Sequence, residues 1–173
     1  MSRDEASTSH SEGKAGQSNE AELTGELVAS STAAGDRRRR AERVAAAIRR
    51  FGGYRWVGVY DVGPDEIAVI GWDGPGAPAY PRFPRSHGLC GAAVAAGEPV
   101  IVGDVASDAR YLTTHTTTRS EIVVPVFAGG AAVGLIDVES DRPDAFAEGD
   151  KQLLERCAAV IVPLWRDYGT ARA

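Results

Sequence analysis

Cysteine is scarce in this chain: Cys90 and Cys157 are the only two in 173 residues. That excludes a disulfide-stapled scaffold and favours a reduced, cytoplasmic setting. His87 and Cys90 stand three apart, a spacing that allows a metal pair. No second pair at ligand spacing accompanies them, so no metal is expected. Basic residues are outnumbered, 19 against 24, for a net charge of −5. The pI near 5.2 argues against a general nucleic-acid binder. No apolar run approaches the length of a membrane span, and the polar N-terminus is not a signal peptide. A phosphate loop, a metalloprotease helix motif and a nucleophile elbow are all missing.

What remains is an ordinary globular composition, 43% hydrophobic, sized for one domain plus a tail. Residues 1–35 read as a largely disordered N-terminal tail, polar and without aromatics, in which 21–31 have the spacing of a short helix. The folded domain is placed at 36–168, followed by a C-terminal tail at 169–173. The basic run 37–40 reads as the solvated first turn of a helix that ends at Gly52 and Gly53. Next come a hairpin over 54–72, a Gly/Pro loop, a short edge strand near 80–83, a helix over 89–96 and a strand over 99–102. The final helix runs from 148 to about 168. Its apolar face carries Leu153, Leu154, Cys157, Ile161, Leu164 and Trp165, and Pro163 should kink it or end it early. The order predicts an α+β architecture: an antiparallel sheet with helices packed at one face.

The stretch 120–140 is the informative one. Two β-branched runs flank Gly129-Gly130, a hairpin signal. Core-grade strands here carry three carboxylates, Glu121, Asp137 and Glu139. Period two puts Asp137 and Glu139 on one face. A two-residue loop would pair position 121 with 138 and send Glu121 to the other side. A three-residue loop, 128–130, would pair 121 with 137 and gather all three acids; that register is the expectation. Buried carboxylates without partners cost several kcal/mol each, so the hairpin reads as one wall of a pocket for something positive. Residues 112–119, with five threonines and His115, read as a mobile lid. His115 is either a general acid or base there or a surface histidine. Cys157 reads as core. Cys90 reads equally as a buried structural thiol or as a reactive one.

Several stretches together carry a family resemblance: Trp56-Val-Gly-Val-Tyr60, His87-Gly-Leu-Cys-Gly91, Val102-Gly-Asp-Val105, Ser120-Glu-Ile-Val-Val-Pro125 and Val133-Gly-Leu-Ile-Asp-Val-Glu-Ser140. In this order, across residues 38–166, they resemble a GAF domain, and more narrowly the free methionine-(R)-sulfoxide reductases. The resemblance implies a six-stranded antiparallel sheet flanked by helices, with a loop-roofed pocket. It implies that Glu121, Asp137 and Glu139 hold the amino group and polar head of a small zwitterionic or cationic substrate, with Trp56 and Tyr60 as walls. The family's third acid is usually an aspartate; here it is Glu139. An ammonium guest therefore ranks ahead of a divalent cation for these acids.

Family enzymes work with cysteines at three positions, of which this chain keeps Cys90. Tyr80 and Thr114 stand at the other two. Reducing a sulfoxide needs one thiol to attack and another to resolve the product. The resemblance thus implies Cys90 as the catalytic group, no cofactor, and an external thiol reductant. Two functions follow as expectations: a reductase-type enzyme or a descendant with altered chemistry, or a non-catalytic GAF small-molecule sensor. The enzyme is preferred because no output module follows Trp165. A homodimer is plausible from the apolar residues on the terminal helices.

Overall fold

Sheet polarity is set by strict alternation in the central strands. A computed structural model describes residues 8–166, with side chains from residue 19 onward. Six strands form one sheet: β1 (Trp56–Val62), β2 (Glu66–Asp73), β3 (Arg82–Pro84), β4 (Val100–Val102), β5 (Ser120–Ala128) and β6 (Ala131–Ser140). Their order is β3-β2-β1-β6-β5-β4, and every neighbouring pair is antiparallel. Edge strand β3 is closed by Pro84, which an edge tolerates.

Alternate residues of β1, β5 and β6 feed two separate cores. Val57, Val59, Ile122, Val124, Val126, Ile136 and Val138 pack under helices α1 (Thr8–Thr32), α2 (Arg37–Gly52) and α4 (Glu148–Val160). Trp56, Tyr60, Val123 and Leu135 face the other way, toward helix α3 (Gly88–Ala96) and the loops. The expectation of helices at one face is therefore corrected. Helix α3 is short, but its apolar Leu89, Cys90 and Ala93 pack on the second face.

Helix α2 starts where Asp36 accepts a hydrogen bond from the backbone N–H of Arg38, and ends at Gly53 in the left-handed region. Its basic run is only in part the solvated turn its composition suggests: Arg38 and Arg39 are exposed, but Arg37 and Arg40 are engaged. Arg37 donates to both carboxylate oxygens of Asp61 at 2.8 and 2.5 Å, and through Nε to the Leu164 carbonyl at 2.7 Å. Arg40 is buried and donates to the Ser31 carbonyl.

The structure also departs from the expected tail. Leu23 and Leu27 of α1 are buried in the main core, and Glu20 and Glu26 pair with Arg156 and Arg50. Residues 1–7 and the C-terminal tail at 169–173 lie outside the described residues. Helix α4 stops at Val160, before Pro163, and the chain continues as a 3-10 turn over Val162–Trp165. Tyr54 lies just before β1. It packs on Phe146 and donates to Asp150. Among the described residues no helix is long and apolar enough to cross a membrane.

Candidate functional site

The β5–β6 hairpin positions the acids by a route different from the expected one. Gly129 and Gly130 both have positive φ, 59° and 81°, and form a two-residue turn that pairs Ala128 with Ala131. That register would send Glu121 to the wrong side. A β-bulge then shifts the pairing: Phe127 faces Ala132, but Val126 faces Gly134, leaving Val133 as the extra residue. Parity is restored, and Glu121 pairs with Glu139, not with position 137. All three acids thus share one face, although the three-residue loop is not what gathers them.

On β1, Trp56 pairs with Glu139, Gly58 with Asp137 and Tyr60 with Leu135. Gly58 has to be glycine. A Cβ there would lie 2.4 Å from the Trp56 ring and 2.7 Å from that of Tyr60. The two aromatics instead close over Gly58, with ring centroids 6.5 Å apart. Tyr60 also packs on Phe83, and Trp56 on His115.

Glu121, Asp137 and Glu139 are 4%, 3% and 0% exposed. Among the described residues no salt bridge reaches any of them. Cys90 Sγ donates to Asp137 Oδ2 at 3.9 Å, and the Thr118 hydroxyl donates to Glu139 Oε2. Asp137 Oδ1 and Glu139 Oε1 are buried without a hydrogen-bond partner. Burial pushes the Glu121 and Asp137 carboxyls well above the usual carboxylate range; at Glu121 repulsion from Asp137 and Glu139 adds to it, whereas at Asp137 Glu139 adds and hydrogen bonds with Glu121 and Cys90 oppose. Glu139 rises to about 7, chiefly from burial, with Thr118, Thr114 and Arg55 opposing. Burial raises the Cys90 thiol as well, and the adjacent acids push it further. His115 is lowered, first by burial and then by Arg55, so its ring is neutral near pH 7.

The predicted residues converge. Tyr60, Tyr80, Cys90, Thr114, Glu121 and Asp137 line one cavity, closed by Leu89, Leu112 and Phe83. Its volume of about 20 Å³ is room for roughly one water. As it stands the cavity is too small for an amino acid. Tyr80 and Thr114 thus line the same cavity as Cys90, with Tyr80 half exposed to solvent. Thr114 turns its hydroxyl to the Leu112 carbonyl at 3.2 Å. Glu139, Trp56 and His115 form the adjoining end under the same loop. Thr118 was invisible in sequence, being one of five threonines in a polar loop. Cys157 lies in the main core across the sheet. Outside the cavity a surface groove of about 760 Å³, lined by Arg85, His87 and Arg110, shares Gly88 and Leu112 with it.

A six-stranded antiparallel sheet with helices on both faces, and an acidic cavity on the face that carries α3, defines a GAF-type domain. The chain belongs to the GAF domain family, whose pattern it matches over residues 36–162. It is 32% identical over 119 residues to GAF domain-containing protein A of Dictyostelium discoideum, covering 68% of this chain and 74% of that one. It is 28% identical over 119 residues to the free methionine-R-sulfoxide reductase of Escherichia coli, covering 68% and 70%. The free methionine-R-sulfoxide reductase of Neisseria meningitidis, solved with its substrate, superposes with a TM-score of 0.77 at 30% identity, covering 88% of this chain and 91% of that one.

Proposed function

We propose that this chain is an enzyme of the free methionine-(R)-sulfoxide reductase type, acting on a small free amino acid. The observation that carries the reading is the trio of buried carboxylates beside Cys90, two of whose oxygens lack any partner. An ammonium group offers three donors and one positive charge, which is the complement such a trio calls for. Glu121, Asp137 and Glu139 would grip it, and Trp56 and Tyr60 would wall the carbon chain.

The chemistry then runs on one cysteine. Cys90 passes its proton toward Asp137 and its sulfur attacks the sulfoxide sulfur. The sulfoxide oxygen leaves to Cys90, giving methionine and a Cys90 sulfenic acid. An external thiol attacks that sulfenic acid, releasing water and forming a mixed disulfide. A second thiol molecule restores Cys90 and leaves as the external disulfide. The ammonium charge also opposes the acids that hold the Cys90 proton, so substrate binding favours the thiolate. Cys157, across the sheet, takes no part. The groove along Gly88 and Leu112 offers the reductant its approach.

The same burial favours a second reading, a non-catalytic sensor of an amino acid or amine. A fully buried thiol held protonated is a poor nucleophile. One experiment separates them. The protein is incubated with free methionine-(R)-sulfoxide and dithiothreitol, and methionine is measured for the native chain and Cys90→Ser. Turnover that vanishes in the variant supports the enzyme. No turnover, with thermal stabilisation by methionine, supports the sensor. A ligand at 100 times its Kd adds about 2.7 kcal/mol. Absence of both effects sinks both readings.

A further inference from the structure

We propose that Cys90, Glu121 and Asp137 also form a three-donor seat for a thiophilic divalent cation of the zinc type, which shuts the pocket to its organic guest. Metal binding itself stands apart from the substrate reading; only the competition rests on it. Cys90 Sγ and one oxygen each of Glu121 and Asp137 lie within 4.8 Å of one another, and all three residues are buried. Asp137 brings a second oxygen that no hydrogen bond claims. The donors come from α3, β5 and β6, so packed backbone holds them in place. Zinc–sulfur and zinc–oxygen bonds of about 2.3 and 2.1 Å put tetrahedral donors about 3.5 Å apart. The Cys90 Sγ to Asp137 Oδ2 distance is already 3.9 Å, so a modest side-chain closure completes the seat.

The donor types select the ion. One thiolate with two carboxylates suits zinc or cobalt better than magnesium or calcium, which take oxygen alone. Three protein donors leave the fourth position open, and the adjoining cavity of about 20 Å³ admits one water there. A bare ion fits where an amino acid does not. The thiol must lose its proton, Cys–SH + M²⁺ → Cys–S–M⁺ + H⁺, so binding releases acid and strengthens as pH rises. His87, the residue whose spacing suggested a pair with Cys90, is exposed and outside this set.

The test uses the full chain, reduced and stripped with chelator, titrated anaerobically with Co²⁺. A thiolate-to-cobalt charge-transfer band should saturate at one ion per chain. It should persist in Cys157→Ser and vanish in Cys90→Ser. Asp137→Asn, which keeps the thiol, should weaken binding about tenfold or more. Circular dichroism checks that each variant folds. No band, or one unchanged in the Asp137→Asn protein, overturns the seat. Zn²⁺ should then raise the apparent Kd of free methionine-(R)-sulfoxide in thermal shift; an unchanged Kd overturns the competition. The same ligand titration in excess chelator tests the substrate reading alone, so the two failures are distinguishable.

Discussion

Glu121 and Glu139 sit directly opposite one another on β5 and β6, both buried, with no cation between them among the described residues. Paired like charges in a sheet are destabilising. Here the third acid, Asp137, adds to the load from the same face. The free protein therefore holds a local electrostatic defect.

Removing one ionisable group should stabilise the unliganded chain. Burial holds the Glu121 carboxyl well above the usual carboxylate range, a cost the unfolded chain does not bear, and Glu121→Gln keeps the shape while deleting that cost. For a domain this size each kcal/mol shifts Tm by about 2–4 °C. The stabilisation by an amino-acid ligand should disappear in the same variant. Thermal melts with and without methionine measure both effects, and an unchanged ligand shift contradicts the proposed role.

Stability of the free protein should fall as pH rises through the neutral region. Below its ordinary value of 4.5, Glu139 is protonated whether folded or not and contributes nothing. Between 4.5 and about 7 the folded chain keeps a proton that the unfolded chain has lost, so raising the pH favours unfolding. Above about 7 the full penalty is present. Every tenfold difference in proton affinity between the folded and unfolded chain is worth about 1.4 kcal/mol. Thr118→Val removes a hydrogen bond to the charged form, and should move the upper end of this fall to higher pH. Denaturant melts from pH 5 to 8.5 check both; a curve that rises over this range contradicts the burial argument.

Gly58→Ala should damage the pocket from its back wall. The added methyl meets the rings of Trp56 and Tyr60 on strand β1, where the backbone cannot easily yield. Overpacking of this kind costs about 1–3 kcal/mol. Ligand affinity should drop more than a stability loss alone explains, because both ring walls move. Isothermal titration at a temperature where the variant remains folded reads this out.

Asp61→Ala should loosen the C-terminal turn. Asp61 accepts from Arg37 at two oxygens and from the Trp165 indole N–H at 2.8 Å. Its side chain is 28% exposed, which keeps the cost below that of a fully buried pair, at about 2–3 kcal/mol. Binding at the acidic pocket, on the other face of the sheet, should stay unchanged. Urea melts paired with ligand titration separate the two properties.

Asp137 and Glu139 on one face were legible because a period of two is a local property; Tyr60 and Cys90 came to the site only through motifs shared with a family, and Glu121 through a register that the bulge replaced. Tyr80 and Thr114 were legible only through a family's spacing. Thr118 was not legible, since nothing in a run of threonines marks the one whose hydroxyl meets Glu139. Arg37 and Arg40 read as solvated because charge in sequence says nothing about which carboxylate or carbonyl arrives from elsewhere.

Sequence alone settled that two β-branched runs carry three acids and meet at a glycine turn, because side-chain type and backbone preference are local. It did not settle the register. Two glycines favour the tight turn, whereas the acids need the opposite parity, and the turn by itself has no means of choosing. The decision belongs to the two cores on either side of the sheet. Placing Val124, Ile136 and Val138 under the helices fixes which residues face away, and an extra residue at Val133 lets the local turn and the buried face both be satisfied.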